Sequence, residues 1–476
     1  MLLLGAAAPP SPYVQIDQLE QSRSLGGDRL GAFLNGHDRL VAIRAALAIG
    51  RTKQRAGIPL LRAHLRDRDT GLRAMSVYAL GLIGSPYVQS DVLAALLDRS
   101  DAVRLAAYDA AGRLEAAKAF SRVNEMAAAR VLATDLTRQP SPVVRSRAAT
   151  AIEAFKDGGA RNEGARALAA AFARERDATV RWHIMWSIYR GYPVAVPRTL
   201  LVGALRDRNE LVRVEAVRAL GRVKNPDAVA SLQPMLHDSS WRVQEQAVES
   251  IKALRKEPAT DHLKAIADGV RIPAVQTDPL ANLPALPRTP DTMSPAAPQP
   301  QEAIERPKLD PSTVAAFTGP AAGPHPRLRI VTTKGNVYVE LYPEWAPLTV
   351  ENFLNLANRG YYDDNPWFRI VPDFVVQTGG GTDGNSDVKY SIGAEENPIE
   401  QDAYVISMGL NYTDPPDAHA IRDSAGSEFY ITLSPQLHLD RDFTVFGRVI
   451  GGTGVLGRLI ESDKIVRIER IADTSQ

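Results

Sequence analysis

The sequence predicts a multidomain chain: an N-terminal all-α solenoid, a proline-rich linker, and a C-terminal mainly-β domain built as a closed antiparallel barrel with capping helices. Three observations carry this reading. A helix-spaced apolar pattern recurs seven times between Val41 and Ile251. Thirteen of the 33 prolines fall between Pro273 and Pro326. Beyond Pro326, apolar residues alternate with polar ones in short runs. At 476 residues the chain is also too long for one ordinary core.

Composition narrows the chemistry. With no cysteine, disulfides, thiolate metal sites and cysteine nucleophiles are excluded. The eight histidines show no ligand spacing, so no metal site is expected; no cofactor is expected either. Net charge is +1, yet residues 1–270 hold 39 Lys and Arg against 28 Asp and Glu, and 271–476 hold 17 against 27. Opposed halves can steer partners or attract each other. The basic residues are dispersed, so nucleic acid is not an expected partner. No run is long and apolar enough for a membrane span.

Residues 1–29 form an N-terminal segment. Met1-Leu2-Leu3-Leu4-Gly5-Ala6-Ala7-Ala8-Pro9-Pro10 has the short apolar run and small residues of a secretory signal's end, without a basic n-region. It reads as a truncated signal or an ordinary apolar tip, and a periplasmic or exported location is favoured over a cytoplasmic one.

The recurring pattern starts at Val41, Leu72, Val103, Val144, Val180, Val212 and Val243. Arginine follows in five copies, at Arg73, Arg104, Arg145, Arg181 and Arg213. A small residue and then Ile or Leu come one and two turns later, as in Ala45 and Ile49, with Ile184 the exception in the small slot. These offsets share one helix face. Asp69, Asp101, Ser141 and Asp177 are placed to cap the helices, and Gly81, Gly112 and Gly221 to stop them. A second apolar helix precedes several copies, at 58–65, 92–97 and 199–205. One such pair cannot bury its apolar face alone, whereas a stack can. The repeated arginines read as a hydrogen-bond ladder between neighbouring pairs rather than as ligand contacts. Trp182, Trp186 and Tyr189 read as bulky core. This pattern resembles the HEAT-repeat family, particularly its short bacterial form, over about 30–267. The resemblance implies a curved α-solenoid with a concave face for a protein partner.

Residues 268–326 are assigned as linker. Segments such as Pro295-Ala296-Ala297-Pro298-Gln299-Pro300 suit neither helix interiors nor central strands. A semi-stiff tether is expected, with a short helix near 302–317.

The last domain, 327–476, opens with a hairpin, 328–332 and 336–341, turning at Lys334-Gly335. A helix over 350–357 follows Pro347 and Thr349. Strands are expected over 367–370, 374–378, 404–408, 428–433, 444–449 and 464–471. The informative stretch is Trp367-Phe368-Arg369-Ile370-Val371-Pro372-Asp373-Phe374-Val375-Val376-Gln377-Thr378-Gly379-Gly380. It sets one arginine among apolar strand residues, where its charge must reach a pocket, a partner or water.

Together with Ala346-Pro347-Leu348-Thr349-Val350-Glu351-Asn352-Phe353, Ser407-Met408-Gly409, Ala425-Gly426-Ser427-Glu428-Phe429-Tyr430-Ile431-Thr432 and Thr444-Val445-Phe446-Gly447-Arg448-Val449, this stretch resembles the cyclophilin family of peptidyl-prolyl cis-trans isomerases over about 327–472. The resemblance implies an eight-stranded barrel with the active groove on its outer face, and isomerisation of X-Pro bonds in polypeptide clients. By the same resemblance Arg369 is catalytic. Phe374, Val375, Tyr430 and Leu439 correspond to the proline pocket, Gln377 to a contact with the substrate backbone, and Gly409 and Leu410 to the groove lining. Glu428 stands where many members carry glutamine, to pair with Arg369 or to alter substrate choice. His438 replaces a usual tryptophan, Phe443 a more polar residue, and Leu410 a frequent asparagine. The segment 410–424, with Asp414-Pro415-Pro416-Asp417, is longer than usual and reads as a surface loop, a lid or a partner contact. The functions expected are an isomerase whose solenoid recruits clients or, alternatively, a non-catalytic proline-peptide scaffold or a chaperone organised by the solenoid.

Overall fold

In this computed structural model, residues 10–255, 325–384, 388–413 and 420–471 are described. They fall into two compact units, 28–255 in one and 10–27 with 325–471 in the other. Met1–Pro9, residues 256–324 with the expected short helix, and Asp414–Asp417 lie outside the described residues.

The first unit is a run of helix pairs. The second helix of each pair carries the repeated pattern: Arg39–Arg51, Thr70–Ile83, Asp101–Ala116, Pro142–Ile152, Ala178–Gly191, Glu210–Arg222 and Trp241–Arg255. Their Val, small and Ile/Leu positions are buried, including Val180, Ile184 and Ile188 at 0% exposure in the irregular copy. The uneven repeat length comes from the first helix of the pair. It is five residues in Ile58–Arg62 but 17 in Arg122–Arg138 and 15 in Gly158–Phe172.

Asp69, Ser141 and Asp177 accept N–H bonds from the first turns of their helices. Asp101 does not sit at the cap position. Ser100 does, and Asp101 is the first helical residue. The glycines also differ from the expectation. Helices run past Gly81, Gly112 and Gly221. A Cβ on Gly81 would lie 2.6 Å from the Ala110 Cα, one on Gly50 2.7 Å from the Ala79 Cα, and one on Gly221 2.8 Å from the Ser250 Oγ. These glycines let successive pattern helices touch. The left-handed residue that ends Thr70–Ile83 is Gly84.

The arginines form a ladder. Arg73, Arg104, Arg145, Arg181 and Arg213 each donate to the backbone carbonyl six residues earlier, at 2.8–3.0 Å. Each then reaches the next repeat, at Asp98, Gln139, Glu175, Asp207 and Asp238 respectively. Gln244 replaces arginine in the last copy and keeps the bond to its own loop, at Asp238 O. Trp182 and Trp186 are buried, whereas Tyr189 offers its ring to Arg218 and Arg222.

The second unit is built on an antiparallel sheet. Its strands are β1 Arg327–Thr332, β2 Gly335–Leu341, β3 Arg369–Val371, β4 Val375–Thr378, β5 Val405–Met408, β6 Phe429–Thr432, β7 Val445–Gly451 and β8 Ile465–Arg470, in the order β3-β4-β6-β5-β7-β2-β1-β8. The helix Pro347–Asn358 contributes Phe353 to a core with Trp367, Phe429 and Phe446. Its first N–H groups bond to the Glu395 carboxylate, at 3.0 Å from Leu348 and 2.8 Å from Thr349.

The expected closed barrel is not what forms. The sheet curls into a half-barrel, and its edge strands β3 and β8 share no ladder. An isolated bridge, Pro366 with Lys464, spans the seam instead, with backbone bonds from Trp367 N–H to Asp463 O at 3.0 Å, Asp364 N–H to Ile465 O at 2.8 Å and Ile465 N–H to Asn365 O at 2.9 Å. The cause is local. β3 is three residues long and lies between Pro366 and Pro372, neither of which has an N–H to extend a ladder.

Candidate active site

Strand alternation decides which residues face outward. Val376, Phe429, Ile431 and Ile406 point into the core, so their neighbours point away from it. The register places Arg369 opposite Gln377, Gln377 opposite Tyr430, and Tyr430 opposite Ser407. These four residues therefore lie in one row across β3, β4, β6 and β5 on the outer face.

Arg369 is exposed, and its Nη1 donates to the Gln377 Oε1 at 3.3 Å. The Gln377 amide then donates to the Glu428 carboxylate at 3.1 Å. The Glu428 charge thus reaches Arg369 through Gln377. The guanidinium carbon stands 5.4 Å from the centre of the Phe374 ring. Phe374 is stacked with His438, at 5.7 Å and 16° between planes. Asp373 holds a left-handed backbone, φ 55°, in the tight turn that returns β3 into β4 and brings Arg369 and Phe374 together.

Tyr430 and Phe443 meet edge to face at 5.7 Å, forming a second aromatic pair beside the row. Tyr430 is 4% exposed, and Ser407 and Gln401 stand beside its hydroxyl. Burial, above all, pushes that phenol well above its ordinary value. Val375 is buried at 1%. Leu439 is half-buried on the turn Leu437–Leu439 that also carries His438. The Gly409 N–H donates to the Glu428 carbonyl at 2.8 Å. A Cβ on Gly409 would meet the Glu428 Cβ at 2.9 Å and the Gln377 Nε2 at 3.4 Å, so this edge requires glycine. Leu410 packs on the hydrophobic core instead of standing free.

One residue escaped the motifs. Tyr412 is 56% exposed on the long loop, and charges on Arg369 and Asp442 both act on its hydroxyl, which burial pushes up. Its only signal in the sequence was an aromatic residue three positions after Gly409. Among the described residues no group of three or more His, Asp or Glu could hold a metal ion, and no helix is long and apolar enough to cross a membrane.

Residues 327–473 match the family model described as cyclophilin type peptidyl-prolyl cis-trans isomerase/CLD. Peptidyl-prolyl cis-trans isomerase B of Bacillus subtilis is 40% identical over 135 residues, covering 27% of this chain and 88% of that protein. The chain belongs to the cyclophilin-type peptidyl-prolyl cis-trans isomerases. Peptidyl-prolyl cis-trans isomerase-like 1 of Neurospora crassa, a second relative of this cyclophilin, is 40% identical over 140 residues, covering 28% of this chain and 82% of its own. The helical unit carries HEAT repeats, with matches over 27–112 and 197–277. Between those matches the arginine ladder continues through Arg145 and Arg181. In this cyclophilin, then, an isomerase domain follows a HEAT-repeat region.

Proposed function

We propose that Arg369 carries the isomerisation and that Phe374, Val375, Tyr430, Leu439 and Phe443 receive the proline ring. The observation supporting this is the outward row in which Arg369 and Gln377 stand beside the Phe374 ring. An X-Pro amide rotates over a barrier of about 20 kcal/mol through a twisted state without resonance. No bond breaks, so preferential binding of the twisted form is enough. The twisted nitrogen regains a lone pair, and a guanidinium N–H can donate to it. Arginine suits this because it stays charged and presents a fixed fork of donors.

Gln377 has two tasks in this reading. Its carbonyl oxygen orients the guanidinium, and its remaining capacity meets the substrate backbone. Glu428 orients the Gln377 amide in turn. It also puts a negative charge beside the groove, which favours clients with Lys or Arg near the proline. Gly409 gives the substrate backbone room to lie along the edge. His438 supports the face of Phe374 and forms part of the pocket rim.

The domain reading is an isomerase unit over 327–476, a linker over 268–326, a HEAT-repeat solenoid over 30–267, and a leading segment over 1–29. The solenoid recruits folding clients or a protein partner, so the isomerase acts on segments held nearby. Exchange NMR on an Ala-Pro peptide tests the site. Acceleration that survives unchanged in Arg369→Ala rejects the assigned role, and tight binding without acceleration selects the proline-peptide scaffold.

A further inference from the structure

The segment before the solenoid is built into the isomerase unit. Helix Pro12–Gln21 is capped by Ser11, starts with proline, and buries Tyr13, Ile16 and Leu19. It ends in a turn where Arg23 takes a left-handed backbone, φ 51°, with its N–H bonded to the Glu20 carbonyl at 2.9 Å. That turn holds two side chains against the far end of the sequence. The Gln21 Oε1 accepts the Gly393 N–H at 2.9 Å. Arg23 donates to the Ala394 carbonyl at 3.2 Å and forms an ion pair with Asp423. Both members of the pair are about four-fifths buried, with side chains 18% and 20% exposed. Gly393 is shaped to this contact, since a Cβ there would stand 2.6 Å from the Gln21 Oε1 and 3.2 Å from the Arg23 Nη2.

Asp423 is the junction. One of its oxygens also accepts the Ala394 N–H at 2.7 Å. Burial pushes its carboxyl up, but Arg23 and that N–H outweigh burial and hold it below the ordinary value. The next residue, Ser424, accepts the Asn411 N–H at 2.9 Å and donates to the Ile421 carbonyl at 2.6 Å. Ile421 N–H bonds to Asn411 O at 2.7 Å, and Tyr412 bridges Ala420. The neck of the long loop is therefore zipped from Asp423 back to Asn411. It begins directly after Gly409 and Leu410, and Gly409 packs against Glu428 and Gln377 of the row, with Tyr412 three residues further on.

We propose that Arg23 is a positioning residue for the isomerase. By clamping Asp423 it sets the loop neck, and the neck holds Tyr412 where it contacts the substrate residues flanking the proline. Tyr412 then acts as a specificity residue that favours clients with an apolar or aromatic side chain near the proline, because its ring offers large area at small entropic cost. Arg23 does not touch the reacting amide, so its loss raises KM and spares kcat.

The proposal rests on Arg369 being catalytic, and the experiment separates the two. In the full chain, kcat and KM for a Phe-Ala-Pro-Phe-type peptide are measured for the parent, Arg369→Ala, Arg23→Ala, Arg23→Lys, Tyr412→Ala and the double variant Arg23→Ala/Tyr412→Ala. Arg23→Ala and Tyr412→Ala are each expected to raise KM about three- to tenfold with kcat within about twofold. The double variant is expected to match the worse single, because both act through one contact. Arg23→Lys is expected to recover most of the loss. An unchanged KM in Arg23→Ala, or additive losses in the double variant, overturns the proposal. Where Arg23→Ala does not fold, Tyr412→Ala, which removes an exposed side chain, decides alone, and an unchanged KM overturns it. Arg369→Ala at the parent's rate would instead reject the site assignment.

Discussion

In the role proposed for it, Arg369 works through what it is bonded to. Its Nη1 bond to Gln377 and the Phe374 ring beside it leave other guanidinium donors for a twisted amide nitrogen. Arg369→Ala is expected to lower kcat/KM about 100- to 1,000-fold, the usual loss for one preorganised donor. Arg369→Lys should recover little, since a lysine has no fork to share between Gln377 and substrate. Both are checked by exchange NMR at matched peptide concentrations. Glu428→Gln keeps an oxygen for the Gln377 amide but removes the charge. It is expected to raise KM roughly three- to tenfold for peptides with Lys beside the proline and to leave neutral peptides unchanged. A peptide series differing only at that residue measures the effect, and its loss at high salt identifies the electrostatic origin.

At the scale of elements, the solenoid depends on two devices that repeat. One is the close crossing of pattern helices at Gly50, Gly81 and Gly221. Gly81→Val inserts a side chain where a Cβ alone would stand 2.6 Å from Ala110. The expected cost is about 1–3 kcal/mol, read as a lower denaturation midpoint of the helical unit. The other is the arginine ladder. Burial pushes Glu175 and Asp238 up, but Arg145 and Arg213, together with backbone N–H groups, hold both below their ordinary values. A carboxyl depressed in the folded state stabilises it above the unfolded pKa, and that contribution is lost as pH falls through the folded value. The helical unit should therefore lose stability below about pH 4, where ordinary carboxyls titrate. Arg213→Ala should flatten the Asp238 share of that dependence in pH-resolved melting curves.

At the scale of the whole molecule, the described residues form two cores, one of stacked helix pairs and one inside the curled sheet. Calorimetry is expected to resolve two transitions. A proline peptide should raise only the isomerase transition, by mass action on the folded state, and Gly81→Val should lower only the other. A single transition moved by both would show that the cores unfold as one. The recruitment role proposed for the solenoid belongs to this scale too. For a client captured by the 28–255 region, kcat/KM in the full chain should exceed that of a solenoid-deleted chain, while the two should match on a short peptide.

By itself, the sequence determined the elements and their buried faces, though not every cap and stop: Ser100 caps in place of Asp101, and helices run past Gly81, Gly112 and Gly221. Seven helices followed from apolar spacing, and their buried faces are the ones that spacing marked. The strands fell within a residue or two of the alternating runs, because burial of one sheet face imposes period two. The motif around Arg369 was legible because a tight turn brings its arginine and phenylalanine together within six positions. Tertiary structure decided the remaining features, which join residues far apart. These are the Glu395 cap on the helix at Pro347, the acids that complete the arginine ladder, the open seam at Pro366, and the clamp from Arg23 to Asp423. Periodicity reports which face of an element is buried. It carries no information about which distant donor and acceptor meet once those faces have closed, and that meeting ties Arg23 to Asp423.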